Sequence, residues 1–169
     1  MKIALRGVRP DDVDAMYRWE TDPATRRVTF GAASVTRQML WEYARQGGSD
    51  ICRDGQLRMI VTLVADDGTR TAVGAVDITD YDPRNRRAQA GIVIDSDFRH
   101  RGIGRKALRL LTEYCRRNLG LYQLYAIVGN DNAPSLALFR SAGFISVAQL
   151  PDWTLNPEPA TASLMRLIL

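Results

Sequence analysis

Apolar positions along the chain change period several times, and each change predicts an element. Residues 2–6 alternate through Ile3 and Leu5, which predicts a short strand. Arg9-Pro10-Asp11-Asp12 then carries a proline and two acids where a helix opens, and Val13, Met16, Tyr17 and Glu20 follow at helical spacing. Asp22-Pro23 breaks that pattern. Ser34 is the expected N-cap of a second helix reaching Gln46, with Val35, Met39, Leu40 and Tyr43 on one side and Gly47-Gly48 after it. Leu57–Ala65 and Ala72–Thr79 read as two strands joined by the hairpin signal Asp66-Asp67-Gly68. A turn at Asp82–Asn85 leads to Ala88–Ile94, which is apolar on both faces and so belongs in the middle of a sheet. From Gly102 to Asn118 the period becomes helical, with apolar residues at 103, 107, 110, 111, 114 and 115. Leu121–Val128 is a strand, Asn132 caps a short helix with Pro134 in its first turn, and Gly143 ends it. Phe144–Val147 and Ala162–Ile168 are closing strands, with a loop over 148–160 between them. The order is β-α-α-β-β-β-α-β-α-β-β, a mixed α/β sandwich around one sheet in a single domain spanning 1–169.

A hydrophobic fraction of 46% over 169 residues supports one core without staples and excludes a disordered chain. No apolar run approaches the roughly 20 residues of a membrane helix, and the N-terminus lacks the apolar region of a secretory signal. Cys52 and Cys115 are far apart and in no metal spacing. The reading is a cytoplasmic chain with two reduced thiols, no metal and no membrane partner.

Charge is unevenly distributed. The net charge is +4, yet Arg84–Arg117 alone holds ten Arg/Lys against three acids, a balance of +7. The rest is mildly acidic, so the middle of the chain is expected to meet an anion. Within it, from Ala88 to Arg105, a buried strand runs into a turn with Gly102 and Gly104 just where a helix opens. Glycines let the backbone approach a ligand, and the first N–H groups of a helix have no internal partner. With the helix dipole they form a phosphate cradle, surrounded here by Arg99, His100, Arg101 and Arg105. It is not a P-loop, because no Gly-Lys-Ser/Thr follows, and it is one glycine short of a dinucleotide fingerprint.

R-x-x-G-x-G at Arg99–Gly104, a long helix, a strand and then N-x-x-S-x-x-L-F-x-x-x-G-F at Asn132–Phe144 resemble the GNAT N-acetyltransferase superfamily. The opening LRGVRPDDVDAMYRWETDP and the stretch VDITDYDPRNRRAQAGIVID resemble its branch of ribosomal-protein N-terminal and spermidine-type acetyltransferases, and the likeness spans about residues 3–147. The resemblance implies a GNAT-like mixed central sheet of six to seven strands flanked by helices, with a splayed pair of parallel strands. It implies acetyl-CoA as cosubstrate. Ile92, Val93 and Ile94 would splay at a bulge and offer backbone groups to the pantetheine arm. The backbone from Arg99 through His100, Arg101, Gly102, Ile103 and Gly104 to Arg105 would hold the pyrophosphate. Asn132 would hydrogen-bond the arm, and Phe139 lies on the helix flanking the thiol.

The implied reaction is acetyl transfer to a primary amine: a polyamine, another small amine or a protein N-terminus. Two residues depart from the superfamily's pattern: Phe139 stands where a tyrosine often protonates the thiolate, and Gln89 where a glutamate often stands. Asp77 is then the first candidate for a base or an acceptor anchor, ahead of Asp80 and Glu20, each of which also reads as a solvated carboxylate. His100 reads as a phosphate contact or a solvated residue, Cys115 as core and Cys52 as an inert loop thiol. Tyr122 and Tyr125 read as sheet residues. Trp19, Trp41 and Trp153 read as packing or as acceptor-pocket walls, and the 148–160 loop, with Asp152 and Glu158, as a cover over the acceptor. A non-catalytic acyl-CoA-binding module on the same fold is the alternative function. A nucleic-acid-binding domain is disfavoured, since no recognition-helix, zinc or stacking-aromatic motif appears. No direct nucleic-acid partner is expected, and a homodimer is left open.

Overall fold

The computed structural model describes residues 2–28, 34–155 and 158–169. Seven strands form one sheet: β1 (Lys2–Gly7), β2 (Leu57–Val64), β3 (Arg70–Asp82), β4 (Arg87–Ile94), β5 (Gln123–Gly129), β6 (Ile145–Leu155) and β7 (Pro159–Ile168). The helices are α1 (Val13–Thr21), α2 (Pro23–Val28), α3 (Arg37–Arg45), α4 (Ile51–Asp54), α5 (Ile103–Asn118) and α6 (Ala133–Ser141). Strand order is β1-β2-β3-β4-β5-β7-β6, and neighbours are antiparallel except for the parallel β4–β5 pair. The mixed sheet, its helical flanks and its central parallel pair agree with the sequence reading.

Two cores lie on opposite faces of this sheet. Ile60 and Ala75 pack with Met16, Trp19, Leu40 and Ala44 of α1 and α3. Their strand neighbours Met59, Val61 and Val76 pack instead with Ile103, Ala107, Leu111 and Phe139 of α5 and α6. Strand alternation produces this division, since successive side chains point to opposite faces. The apolar stripe of α5 buries Ile103, Ala107, Leu108, Leu111 and Cys115, while Leu110 and Tyr114 sit half-buried at its margin. Cys115 is core as expected, and burial pushes its thiol up to about 12.

The β2–β3 hairpin contains the irregularity that matters most for the site. Val64 pairs with Arg70 and Thr62 with Ala72, but Val61 pairs with Gly74. The extra residue at this bulge shifts the register by one for the rest of the hairpin, placing Arg58 opposite Asp77. Without it, the two side chains would face opposite sides of the sheet.

The break at Asp22-Pro23 ends α1 as expected and has a second role, and three other local expectations are corrected. Asp22-Pro23 starts a helix as well as ending one: the Asp22 carboxylate accepts from the N–H groups of Ala24 and Thr25 at 3.4 and 3.2 Å, and Pro23 occupies the first position of α2. The second long helix is capped by Thr36, not Ser34; Thr36 Oγ1 accepts from Met39 N at 3.2 Å. Cys52 lies on α4, capped by Asp50, rather than in a loop. Most of 148–160 belongs to the β6–β7 hairpin. Pro151 suggests a loop, but β6 is an edge strand, where a missing N–H costs no ladder bond. Its register is irregular between Leu150 and Thr154, where Asp152 adopts φ 51°. Residues 156–157 of the expected loop lie outside the described residues.

Candidate active site

The parallel ladder between β4 and β5 stops early. Arg87, Ala88 and Gln89 pair with Gln123, Leu124 and Tyr125, and no pair follows. Beyond this point β4 stays with β3 as far as Ile94↔Gly74, and β5 stays with β7 as far as Gly129↔Ala162. The sheet therefore opens like a wedge between its two halves. The divergence leaves Gly91–Ile94 half-buried, although β4 is the central strand. The register irregularities next to β4 lie in β3, between Thr79 and Asp82, rather than in β4 itself.

Strand alternation decides which backbone groups face the wedge. Asp95 N donates to Val73 O across β3, so Ile94 and Ile92 point the other way, into the gap. Val93, two residues before Asp95, turns its backbone toward β3 by the same alternation. The Ile94 carbonyl is already engaged, since Arg99 Nε donates to it at 2.9 Å.

The turn at the end of β4 opens α5, a 16-residue helix. Gly102 is its N-cap at φ 72°, in the left-handed region that disfavours a side chain, and a Cβ there would meet open space. Gly104 serves a different contact: a Cβ there would lie 3.1 Å from a methyl of Leu138 on α6, so its absence lets the two helices close together. His100 also has a left-handed backbone, at φ 60°, and is exposed with Arg101 and Arg105. Arg101 stacks its guanidinium over Phe98, with 5.4 Å to the ring centre. Arg99 turns away from the cradle. Besides Ile94 O, its Nη2 reaches Asp22 Oδ2 at 3.3 Å and Thr25 Oγ1 at 3.2 Å, tying α2 to the turn.

A groove of about 1100 Å³ joins these parts. It runs from the glycine turn along Ile92 and Ile94 to a cluster formed by Glu20 of α1, Arg58 of β2 and Asp77 of β3. Arg58 Nε and Nη2 hold Asp77 Oδ1 and Oδ2 at 2.7 and 3.2 Å, and Nη1 reaches Glu20 Oε1 at 2.7 Å. Burial disfavours the Arg58 charge, but the two carboxylates outweigh it and raise its pKa. The formal charge of the three is −1. Gly91 lies opposite Asp77; a Cβ there would sit 3.4 Å from Asp77 Cβ and 3.8 Å from Oδ2, so its absence leaves the carboxylate open toward the wedge.

Of the remaining candidates, Asn132, Phe139 and Trp19 line the groove, and Asp80 and Tyr125 do not. Asn132 caps α6 through Oδ1, which accepts from Ser135 N at 3.2 Å, and lines the groove. Phe139 lines it from the core side, packed edge-on against Phe144 at 5.0 Å. Trp19 forms a buried wall, its Nε1 donating to Asp95 at 2.8 Å. Burial would raise the Asp95 pKa, but hydrogen bonds from Arg18 and Trp19 outweigh it and hold the carboxyl below its usual range. Asp80, at φ 49°, accepts from the Tyr125 hydroxyl at 3.1 Å. Burial, followed by that bond, pushes Tyr125 up to about 12. Trp41, Trp153 and Tyr122 are exposed and, like Asp152 and Glu158, do not line the groove. Sequence reasoning missed Arg58; its only signal was a lone charge at the start of the apolar run Leu57–Val61. Among the described residues, no group of acidic, histidine or cysteine side chains could hold a metal ion.

Residues 2–145 match the family model described as acetyltransferase (GNAT) domain. The chain belongs to the GNAT acetyltransferase family. The GNAT fold has close structural counterparts. The crystal structure of spermidine N-acetyltransferase from Vibrio cholerae in complex with CoA and spermine superposes with a TM-score of 0.84 at 18% identity, covering 98% of this chain and 95% of that one. In sequence, the uncharacterised N-acetyltransferase p20 of Bacillus licheniformis is 24% identical over 90% of this chain and 84% of its own length. The spermidine N(1)-acetyltransferase of Escherichia coli K12 is 31% identical over a shorter stretch, 42% of this chain and 38% of its own length. The GNAT match and these relatives agree with the family inferred from the two sequence motifs.

Proposed function

We propose that this GNAT protein transfers an acetyl group from acetyl-CoA to a primary amine. The observation that carries the proposal is the wedge between β4 and β5, with a helix N-terminus at one end and a carboxylate cluster at the other. The residues fit the cosubstrate. The backbone groups of Ile92 and the N–H of Ile94, which face the wedge, suit an amide-bearing arm, as an added strand would. The first N–H groups of α5, opening from Gly102, suit a diphosphate. Asn132 and Phe139 flank the inner end of the groove.

When bound, acetyl-CoA supplies a thioester carbonyl open to attack by a neutral amine, with CoA thiol as the other product. The amine must shed a proton, because an ammonium has no lone pair. We read Asp77 as the group that meets this amine. Arg58 fixes its carboxylate side-on, and Gly91 leaves it uncovered toward the wedge. Glu20 shares Arg58 and adds to the negative field. A net charge of −1 draws an ammonium to this end of the groove before it loses its proton.

The test is a CoA-release assay with acetyl-CoA against polyamines, small amines, amino acids and peptides, beside calorimetry with CoA. Binding with release for at least one amine is expected. Asp77→Asn should lower kcat/KM for that amine by ~10-fold or more while CoA affinity holds. Binding without release from any amine would favour a non-catalytic acyl-CoA-binding module, and no binding would overturn both readings.

A further inference from the structure

Arg58 places a cation at the acceptor end of the groove, where the proposed acceptor is itself an amine. Its guanidinium carries five N–H donors. Three of them go to Asp77 and Glu20. Among the described residues no acceptor takes the other two, although the side chain is only 22% exposed and lines the groove. Groove ligands therefore meet two kinds of group side by side: carboxylate oxygens that accept, and a fixed guanidinium edge that still donates.

A polyamine matches only half of this. Its nitrogens satisfy the carboxylates, but it carries no oxygen for Arg58. An amine with a carbonyl or carboxylate oxygen on the neighbouring carbon matches both halves. Its ammonium faces Asp77 and Glu20, and its oxygen takes the remaining N–H groups. Arginine suits this role better than lysine because its donors are held in a rigid plane. The bulge at Val61/Thr62 gives the arrangement its register, since it brings Arg58 beside Asp77.

Building on the transferase reading above, we propose that Arg58 is a specificity-determining residue that reads an oxygen adjacent to the acceptor amine. The acceptor is then an α-amino compound, either a free amino acid or the amino end of a peptide.

The experiment measures CoA release from acetyl-CoA with alaninamide, 2-aminobutane, alanine, an alanine-initiated peptide and spermidine, each rate expressed per neutral amine. In the wild type, alaninamide should exceed 2-aminobutane, which lacks the oxygen, by at least ~10-fold in kcat/KM. R58K keeps the charge but loses the fork, and should bring that ratio to within ~3-fold of unity, with CoA affinity intact. Alanine and the peptide then separate the two sources of the α-amino group, and turnover of either one above 2-aminobutane supports the inference. A wild-type preference for spermidine or 2-aminobutane overturns it and leaves the transferase reading standing, as does a ratio that R58K does not change. No release from any amine overturns both.

Discussion

Arg99 Nε donates to the carbonyl oxygen of Ile94 at 2.9 Å, closing the end of β4 onto the turn that opens α5. The same guanidinium reaches Asp22 and Thr25 of the α2 start. One side chain thus joins the proposed cofactor strand, the phosphate turn and a wall of the groove. Arg99→Ala removes these bonds and should cost about 1–2 kcal/mol in urea unfolding. It should also weaken CoA binding in calorimetry by several-fold, because the turn loses its tie to the strand.

Gly74 and Gly91 answer differently to an added methyl. A Cβ on Gly74 would lie 2.3 Å from the Val93 carbonyl oxygen, which is backbone and cannot step aside. Gly74→Ala should destabilise by ~3 kcal/mol. A Cβ on Gly91 meets Asp77 Cβ at 3.4 Å, an ordinary contact. Gly91→Ala should leave the urea midpoint unchanged or higher, yet raise the acceptor KM as the methyl screens Asp77.

Asn132 carries a capping oxygen and an amide nitrogen, and two variants separate them. Asn132→Ala removes the bond to Ser135 N and should cost about 1 kcal/mol of stability. Asn132→Asp keeps a capping oxygen, loses the donor and adds a negative charge that a helix N-terminus accommodates. It should keep wild-type stability in thermal unfolding while weakening CoA binding, if the amide nitrogen serves the cofactor arm.

Stability should fall at both ends of the pH range. The folded pKa of Asp95 lies below its unfolded value, so its contribution is present above about pH 4 and is lost as pH falls through the folded value. Urea unfolding of Asp95→Asn between pH 3 and pH 7 should show lower stability at neutral pH and a flatter acid slope than wild type. Cys115 is the reverse case. Its folded pKa of about 12 is raised, so its contribution is full below the unfolded value and fades as pH rises toward 12. Cys115→Ala should flatten the alkaline slope.

Local signals carried most of this fold. The change from alternation to helical spacing marked α5, and paired glycines marked the turn before it. The doubly apolar run Ala88–Ile94 marked the central strand. What stayed hidden depends on contacts far apart in sequence. Glu20 and Arg58 are 38 positions apart and Arg58 and Asp77 are 19 apart, and a single-residue bulge decides whether the latter two meet. Both strands and the hairpin turn were legible, but a regular register from that turn places Arg58 and Asp77 on opposite faces. Arg99 shows the same limit. The motif puts it beside the phosphate cradle, whereas Asp22 and Thr25, more than 70 positions earlier, draw its guanidinium away. The prolines near Trp153 suggested a loop because the sequence does not show that β6 is an edge strand.

A crystal structure of the protein with CoA tests the central claim most directly. The account predicts the diphosphate within hydrogen-bond distance of the first N–H groups of α5, and the pantetheine arm bonded to the backbone of Ile92 or Ile94 between β4 and β5. CoA bound elsewhere, or β4 and β5 zipped together past Gln89 and Tyr125 with no room for the arm, would contradict it.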